Sequence, residues 1–516
     1  MEDPRQALRN AAAAARQRLL EWSGSLLPAL RQPAYLAGLA LLAGLGYAAF
    51  LAAPLAGLYA LVTLPRLVAD GLAGHGWNPA LLAGSVAAAT CGLTVYLWRF
   101  ELRVDGTYPL SATDTPALFT AIDALRKHQR SASITGVMLN DAFTIDLVSL
   151  PRRALPAGRQ SHLLLGLPLL MCVSPLHFRI ALDRRLNRPR PLRAQLVRWL
   201  AQQPHVWNWY RANFRRHRDP LALSVRLWLA CYEPLLRRLV AGAARLDELE
   251  SDRELADHTS SEDIADTIAA TVTGEYFLRE RFWPDVFRLA AIQADPPAPY
   301  QTLERALHHT LTRDDARDWL DEAMRTETGP WSMAPGLEAR LNNIGYRKIW
   351  PQRPPEISAA REFLQPVLDT VLNEFDQQWQ QRQQSEWPQR HSRHHQAREE
   401  LTALRRKANN GALHGTEAMK YASLVKQYAE PSERIPALKA LVAGNPDDAQ
   451  LQFGIGRMLL AQGEPDGILV LKRAARLDAR FAAPAGQLIA KFATLTPRPA
   501  ATARPSAPPQ QVKQSA

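Results

Sequence analysis

Residues 178–188 read FRIALDRRLNR, and the organisation of the whole chain turns on what this stretch is. Ser174 and Pro175 stand just ahead of it. A serine hydroxyl accepts from the free amides of a helix start, and proline suits the first turn, so a helix is expected to open there. That helix carries Arg184, Arg185 and Arg188, and positions 184 and 188 lie one turn apart on one face. Upstream, TPALFTAIDALRKHQR (115–130) has apolar residues at helical spacing and reads as an amphipathic helix. ITGVMLND (134–141) and AFTIDLVSL (142–150) are short β-prone runs, followed by PRRALPAGRQ (151–160) as a turn. SHLLLGLPLLMCVSP (161–175) then begins as a strand and stops at Ser174-Pro175.

This order resembles the HtpX and CAAX prenyl endopeptidase family of membrane zinc metallopeptidases. The likeness rests on the helix, the β-pair, GLPLL, the S-P-x-x-F-R start and the helix that follows. In that family the helix carries H-E-x-x-H, two zinc-binding His and a Glu acting as general base on the zinc-bound water. Further pieces keep the same order. LDELESDRELA (246–256) resembles the family's E-x-x-A-D, with Glu248 at the third zinc ligand, Ser251 in place of Ala, and Asp252. YFLRERFWPDVF (276–287) resembles a Y-L-x-E-R-F-W segment. PGLEARLNNIG (335–345) resembles HP-x-L-x-x-R-L-x-x-x-G, with Ala334 where the family has His. The resemblance runs from about Ala34 to Gly345. It implies a gluzincin-like peptidase domain, mainly α with a small β element.

The departures decide the chemistry that this resemblance implies. Aligned on Phe178, Arg179 and Leu182, Arg184 takes the first His position, Arg185 the Glu and Arg188 the second His. Thr144-Ile145-Asp146 replaces an N-A-F-like segment, so its Asn is lost as well. Guanidinium carries donors only and stays protonated, so it is a poor metal ligand. No catalytic residue is therefore intact, and no zinc or other cofactor is expected. Glu248 keeps a carboxylate while its metal partners have become Arg. The expected replacement is an ion pair between Arg184 or Arg188 and Glu248 or Asp252, since Arg and carboxylate pair bidentately. The competing reading turns these arginines to solvent or lipid headgroups. The alternative for the chemistry is an active zinc metalloendopeptidase in protein quality control, with a metal site rebuilt from His177 and Glu248. The HSRHH cluster (His391, His394, His395) follows a polar, Gln-rich run and is expected to be solvated.

Two apolar runs precede this domain. No charged residue occurs from Ala34 to Leu64, and a second run extends from Ala80 to near Phe100. A bilayer core takes ~20 apolar residues per helix, so both read as transmembrane helices, the longer one tilting, extending or kinking near Pro54. Arg5, Arg9, Arg16, Arg18 and Arg31 precede the first run, and Arg99 and Arg103 follow the second. The positive-inside rule then places both ends and the main domain in the cytoplasm of a multi-pass inner-membrane protein. LALSVRLWLACYEPLLRRLV (221–240) holds Arg226, Glu233, Arg237 and Arg238, so a core or membrane-surface helix is expected there instead of a third span. RPRPLRAQLVRWLAQQPHVWNWYRANFRRHR (188–218) mixes Arg with Trp199, Trp207, Trp209 and Tyr210. Membrane surface, core packing and nucleic acid are the three readings of that mixture, with Pro189, Pro191 and Pro204 arguing against one continuous helix.

The C-terminal part is helical and polar from about Glu356. Residues 447–481 resemble a tetratricopeptide repeat, two amphipathic helices meeting at Gly463-Glu464-Pro465 with small residues at Gly454, Gly456, Gly467 and Ala474. The competing reading is a small helical cap. The organisation expected is therefore 1–33 N-terminal segment, 34–100 two membrane helices, 101–350 peptidase-like domain, 351–415 polar helical linker, 416–495 repeat-like module and 496–516 disordered tail. Of 516 residues, 62 are Lys or Arg and 50 Asp or Glu, a formal charge of +12. An excess of this sign favours anionic partners, but Arg-, Ala- and Leu-rich usage is also what high-GC bacterial coding produces, so no nucleic-acid partner is expected. The expected partners are membrane lipid and a protein client held by the peptidase-like groove or the repeat-like module. Three cysteines without framework spacing fit a reducing compartment, Cys91 reading as a small buried residue. The whole reads as a membrane-anchored pseudopeptidase that works by binding.

Overall fold

The computed structural model describes residues 33–70, 72–73, 77–99, 106–129, 134–151, 159–187, 191–217, 219–329, 331–410 and 413–495. Arg188, the N-terminal segment and the tail from 496 lie outside these. The chain is mainly helical with one small sheet, and its contacts divide it into two units, residues 1–287 with 297–382, and residues 288–296 with 383–516.

The first unit opens with α1 (Pro33–Asp70) and α2 (Asn78–Arg99). The stretches Phe50–Asp70 and Asn78–Arg99 are long and apolar enough to cross a membrane. The uncharged run near the N-terminus is thus one helix that continues through Pro54 and Pro65. Its first part packs on the domain instead of standing free: Leu36, Leu39, Ala43 and Phe50 are buried against later helices. Cys91 is exposed on α2, contrary to the sequence expectation. In a two-helix pair most side chains point outward, and an apolar run does not say which ones do.

The sheet follows, from β1 (Tyr108–Leu110), β2 (Gly136–Asn140), β3 (Ile145–Pro151) and β4 (Arg159–Gly166), in the order β1-β2-β4-β3. β2 and β4 run parallel, with Val137 opposite Leu163, and β3 pairs antiparallel to β4, with Leu147 opposite Leu163. Leu139, Leu163 and Leu165 of the sheet are buried, as are Leu118 and Ile122 of α3 (Pro116–Gln129). β3 is an outer strand with β4 as its one ladder partner.

The 161–175 run begins as a strand, as expected, and divides at Gly166. β4 ends there and α4 (Leu167–Cys172), with every residue buried, begins. A Cβ at Gly166 would lie 1.9 Å from the Ala142 carbonyl oxygen, so the passing 142–144 backbone requires glycine. α5 (Pro175–Leu186) starts with the Ser174 hydroxyl accepting from the His177 amide at 3.2 Å. Phe178, Leu182 and Leu186 bury one face of it.

α6 (Leu192–Phe214) corrects the expectation of a broken helix, because Pro204 lies inside a continuous one. An internal proline costs ~3 kcal/mol. Val206, Trp207, Tyr210 and Phe214 are buried within ten residues of it, and each such side chain contributes ~1.5–3 kcal/mol, so burial wins. α6 packs along α7 (Pro220–Ala256), and Trp207 meets Tyr47 and Phe50 of α1, Tyr210, and Trp228 and Tyr232 of α7. Of the three readings of the basic–aromatic stretch, core packing accounts for these rings. Then come α8 (Ser261–Tyr276), a wider helical turn, α9 (Trp283–Arg288), α10 (Pro299–Thr310), α11 (Arg313–Arg325), α12 (Leu337–Asn343), α13 (Ala359–Leu364) and α14 (Leu368–Gln383). Leu337 and Leu341 of α12 join Ile180, Leu255 and Ile268 in one core, bringing α12 to α5, α7 and α8.

The second unit holds α15 (Trp387–Asn409), α16 (Gly415–Tyr428), α17 (Pro431–Gly444), α18 (Ala449–Ala461), α19 (Asp466–Leu477) and α20 (Ala482–Leu495). Leu404, Tyr421, Val425, Leu438, Ile455 and Leu459 form its core. α18 and α19 turn at Gly463, whose φ is 78°. They approach closely: a Cβ at Gly467 would lie 2.7 Å from the Gly456 carbonyl oxygen. The 288–296 strip is held by Trp387 Nε1, which donates to the Gln293 carbonyl at 3.1 Å, and by His391 Nδ1, 2.8 Å from that of Ala290. His391 therefore has a backbone partner, and His394 packs edge-on against Tyr428.

Candidate functional site

α5 and α7 run close enough for their charged faces to interlock. Arg184 Nε donates to Asp252 Oδ1 at 2.5 Å. Its Nη2 donates to the Glu248 carboxylate, and to the Glu248 carbonyl at 3.1 Å. Arg185 Nη1 donates to the other Glu248 oxygen at 2.6 Å, and its Nη2 lies 3.8 Å from Asp146 on β3. Arg340, from α12, grips Asp252 through both Nε (2.8 Å) and Nη2 (2.9 Å). Beside this set, Arg198 of α6 donates to Asp247 at 3.0 Å and to the Ser251 hydroxyl at 2.8 Å. Four guanidiniums, of Arg184, Arg185, Arg198 and Arg340, thus meet four carboxylates, of Asp146, Asp247, Glu248 and Asp252. Asn187 Nδ2 donates to Glu254 at 2.9 Å, and His258 Nε2 lies 3.0 Å from Asp183, continuing the polar seam along α7.

Sequence position explains the seam. Residues 247, 248, 251, 252 and 254 place carboxylates and one hydroxyl on neighbouring faces of consecutive turns of α7, and 184 and 185 end α5 opposite them. Asp252 is fully buried, while Arg184 and Glu248 keep only 11% and 19% of their side-chain surface. Burial alone would raise the Glu248 carboxyl. The guanidiniums of Arg184 and Arg185, with Arg340 beyond them, reverse that and hold it well below the usual carboxylate range. Asp252 behaves likewise: burial opposes ionisation, and Arg340 and Arg184 overcome it. For Asp247 burial prevails over Arg198, and its carboxyl is raised. His205, on the same cavity wall, is pushed down by burial.

The site residues read from sequence divide accordingly. Arg184, Arg185, Glu248 and Asp252 come together in one network, and Arg188 lies outside the described residues. Sequence reasoning missed Arg340, Arg198 and Asp247, and noted Ser251 only as a substitution for Ala. Arg340 stands in the quoted PGLEARLNNIG piece and Arg198 in the basic–aromatic stretch, so both were visible, but neither is close in sequence to its acidic partner.

A cavity of about 480 Å³ lies beside the network. Its walls include Asp146, Val148 and Ser149 of β3, Trp199 and Gln202 of α6, and Met333 and Ala334. Gln202 Nε2 reaches across to donate to the Leu147 carbonyl at 3.3 Å.

The donor set does not fit zinc. Glu248, at the position that the sequence resemblance aligns with a zinc ligand, has both oxygens engaged by guanidinium, and Arg184 and Arg185 bring cations to the same place. His177 is half-buried on α5, where burial lowers its pKa against the opposing pull of Asp266 and Asp263 on α8. Among the described residues no group of three or more His, Cys, Asp or Glu is placed to hold a metal ion. No family model, curated protein or solved structure matches the chain.

Proposed function

We propose that this chain is a membrane-anchored pseudopeptidase: a relative of the HtpX and CAAX prenyl endopeptidase group whose zinc bridge has become an arginine–carboxylate bridge. It acts by holding protein clients or partners at the bacterial inner membrane, with both termini and the main domain in the cytoplasm. The observation that carries this reading is Arg184, which ties α5 to Glu248 and Asp252 of α7 at the positions aligned with zinc chemistry. An arginine there supplies the helix-to-helix link a metal would supply, without Lewis acidity and without a bound water to activate.

Binding has a physical basis in the same place. The cavity lies along β3, an outer strand, and an extended peptide can add to such an edge through main-chain hydrogen bonds. The network beside it is charge-balanced, so a client need not carry a particular charge to enter. The C-terminal module, read as repeat-like, offers a second surface for a protein partner.

The test is metal analysis of the purified full-length protein together with a protease assay with and without chelator. We expect zinc far below one equivalent and no chelator-sensitive cleavage. Stoichiometric zinc with chelator-sensitive cleavage would establish an enzyme with non-standard ligands and end the pseudopeptidase reading.

A further inference from the structure

We infer that the turn between α6 and α7 is a docking site for the phosphate groups of anionic phospholipids. The inference rests on reading α1 and α2 as membrane-spanning, and it adds a lipid class and named residues to that reading.

Two contacts fix the position of this turn. Phe214, the last residue of α6, packs on Phe50, the first residue of the apolar stretch of α1 that can cross a membrane, with ring centroids 6.4 Å apart. The Tyr96 hydroxyl, near the end of α2, lies 3.0 Å from both carboxylate oxygens of Asp219. Asp219 also caps α7, accepting from the Ala222 amide at 2.8 Å. The turn is therefore pinned level with the domain-side end of both candidate spans, where a bilayer's headgroups would lie.

Its chemistry suits that level. Arg215, Arg216 and His217 follow Phe214 directly and are exposed, and Arg99, one turn beyond Tyr96, is exposed too. Trp98 beside it is 48% exposed, as expected of an interfacial indole. The acid within the turn, Asp219, is held by Tyr96 and the α7 cap, with the His217 ring acting on it as well. Past the turn, Leu223 and Leu227 face outward on α7, 48% and 64% exposed. A basic end followed by an outward apolar stripe is the pattern of an element seated on an anionic leaflet. Guanidinium pairs with phosphate oxygens through parallel hydrogen bonds. Nucleic acid carries phosphate as well, but its non-specific binding calls for exposed aromatic platforms. Here Trp207, Tyr210 and Phe214 are buried and Trp98 offers a single open ring, too little for a stacking platform, so lipid is the better match.

The experiment uses the full chain reconstituted in vesicles with equal phosphatidylglycerol and phosphatidylcholine. The protein is re-extracted in mild detergent and its retained lipid quantified by native mass spectrometry. Wild type should retain phosphatidylglycerol several-fold over phosphatidylcholine. The combined Arg99→Gln, Arg215→Gln and Arg216→Gln variant should lose that preference, by up to about fivefold per arginine. An Arg393→Gln, Arg398→Gln control, on exposed positions of the second unit, should retain it. Equal retention of the two lipids by wild type, or a preference that survives the triple change, overturns the proposal. So does displacement of the lipid by inorganic phosphate, or oligonucleotide binding abolished by the same three changes. Alkaline carbonate extraction separates the two levels: release of wild type defeats the membrane-spanning reading, whereas retention without lipid preference defeats only the headgroup site.

Discussion

Replacing Asp252 with asparagine keeps its shape and removes its charge. Asp252 is fully buried and accepts from Arg184 at 2.5 Å and from Arg340 at 2.8 and 2.9 Å. Hydrogen bonds to charged groups contribute ~1.5–3 kcal/mol each, so three of them set an upper range near ~5–9 kcal/mol. Part of that is offset because the carboxylate no longer has to be desolvated. What remains is the cost of leaving two guanidiniums, only 11% and 18% exposed, short of one counter-charge. Breaking a buried pair from one side costs ~3–5 kcal/mol, and we expect Asp252→Asn to fall there. At ~2–4 °C per kcal/mol for a domain of 150–250 residues, thermal unfolding should drop by ~6 °C or more. Tryptophan fluorescence of the detergent-solubilised protein reads it. A double-mutant cycle with Arg340→Gln isolates the pair and should return a coupling above ~1 kcal/mol, because the two residues touch. A shift under ~2 °C, or additive single effects, would refute the view that this network bridges the helices.

The acid limb of stability should follow the same residues. Glu248 and Asp252 have lowered pKa values, so their contribution is present above the unfolded carboxyl values of ~4 and fades as pH falls below them. A melting-temperature series should be flat for this contribution from pH 8 to 5 and decline below about pH 4, with Glu248→Gln making the decline shallower. Gly166→Ala places a methyl 1.9 Å from the Ala142 oxygen and should cost ~3 kcal/mol, seen as a lowered melting temperature or failure to accumulate. Gly467→Val, against the Gly456 carbonyl and the Leu460 backbone nitrogen at 2.9 Å, should destabilise the second unit by ~2 kcal/mol or more, measured as faster limited proteolysis after residue 383.

Legibility from sequence tracked how local each cause was. The Ser174 cap, the amphipathic α3 and the turn at Gly463 follow from rules acting over a few residues, and the chain carries those signals openly. The change from strand to buried helix at Gly166 was not legible because a short apolar run does not distinguish the two, and the deciding contact comes from the Ala142 carbonyl. Pro204 misled because four buried side chains nearby outweigh the lost hydrogen bond. At the site, Arg184, Arg185, Glu248 and Asp252, singled out through resemblance, lie on facing sides of α5 and α7. Arg340 and Arg198 escaped notice because a guanidinium can choose any of many carboxylates, and only the packing of α12 and α6 makes the choice.

Arg340 grips Asp252 across 88 residues of chain, and that separation has a consequence during synthesis. Translation adds ~5–20 residues per second, so Asp252 waits roughly 4–18 s for its second arginine. Arg184 precedes Asp252 and is already available. The α5–α7 link can thus close while the nascent chain is still emerging, with α12 docking later as the latch. A chain that stalls before residue 340 would hold a buried carboxylate half-satisfied, and quality control would meet it in that state.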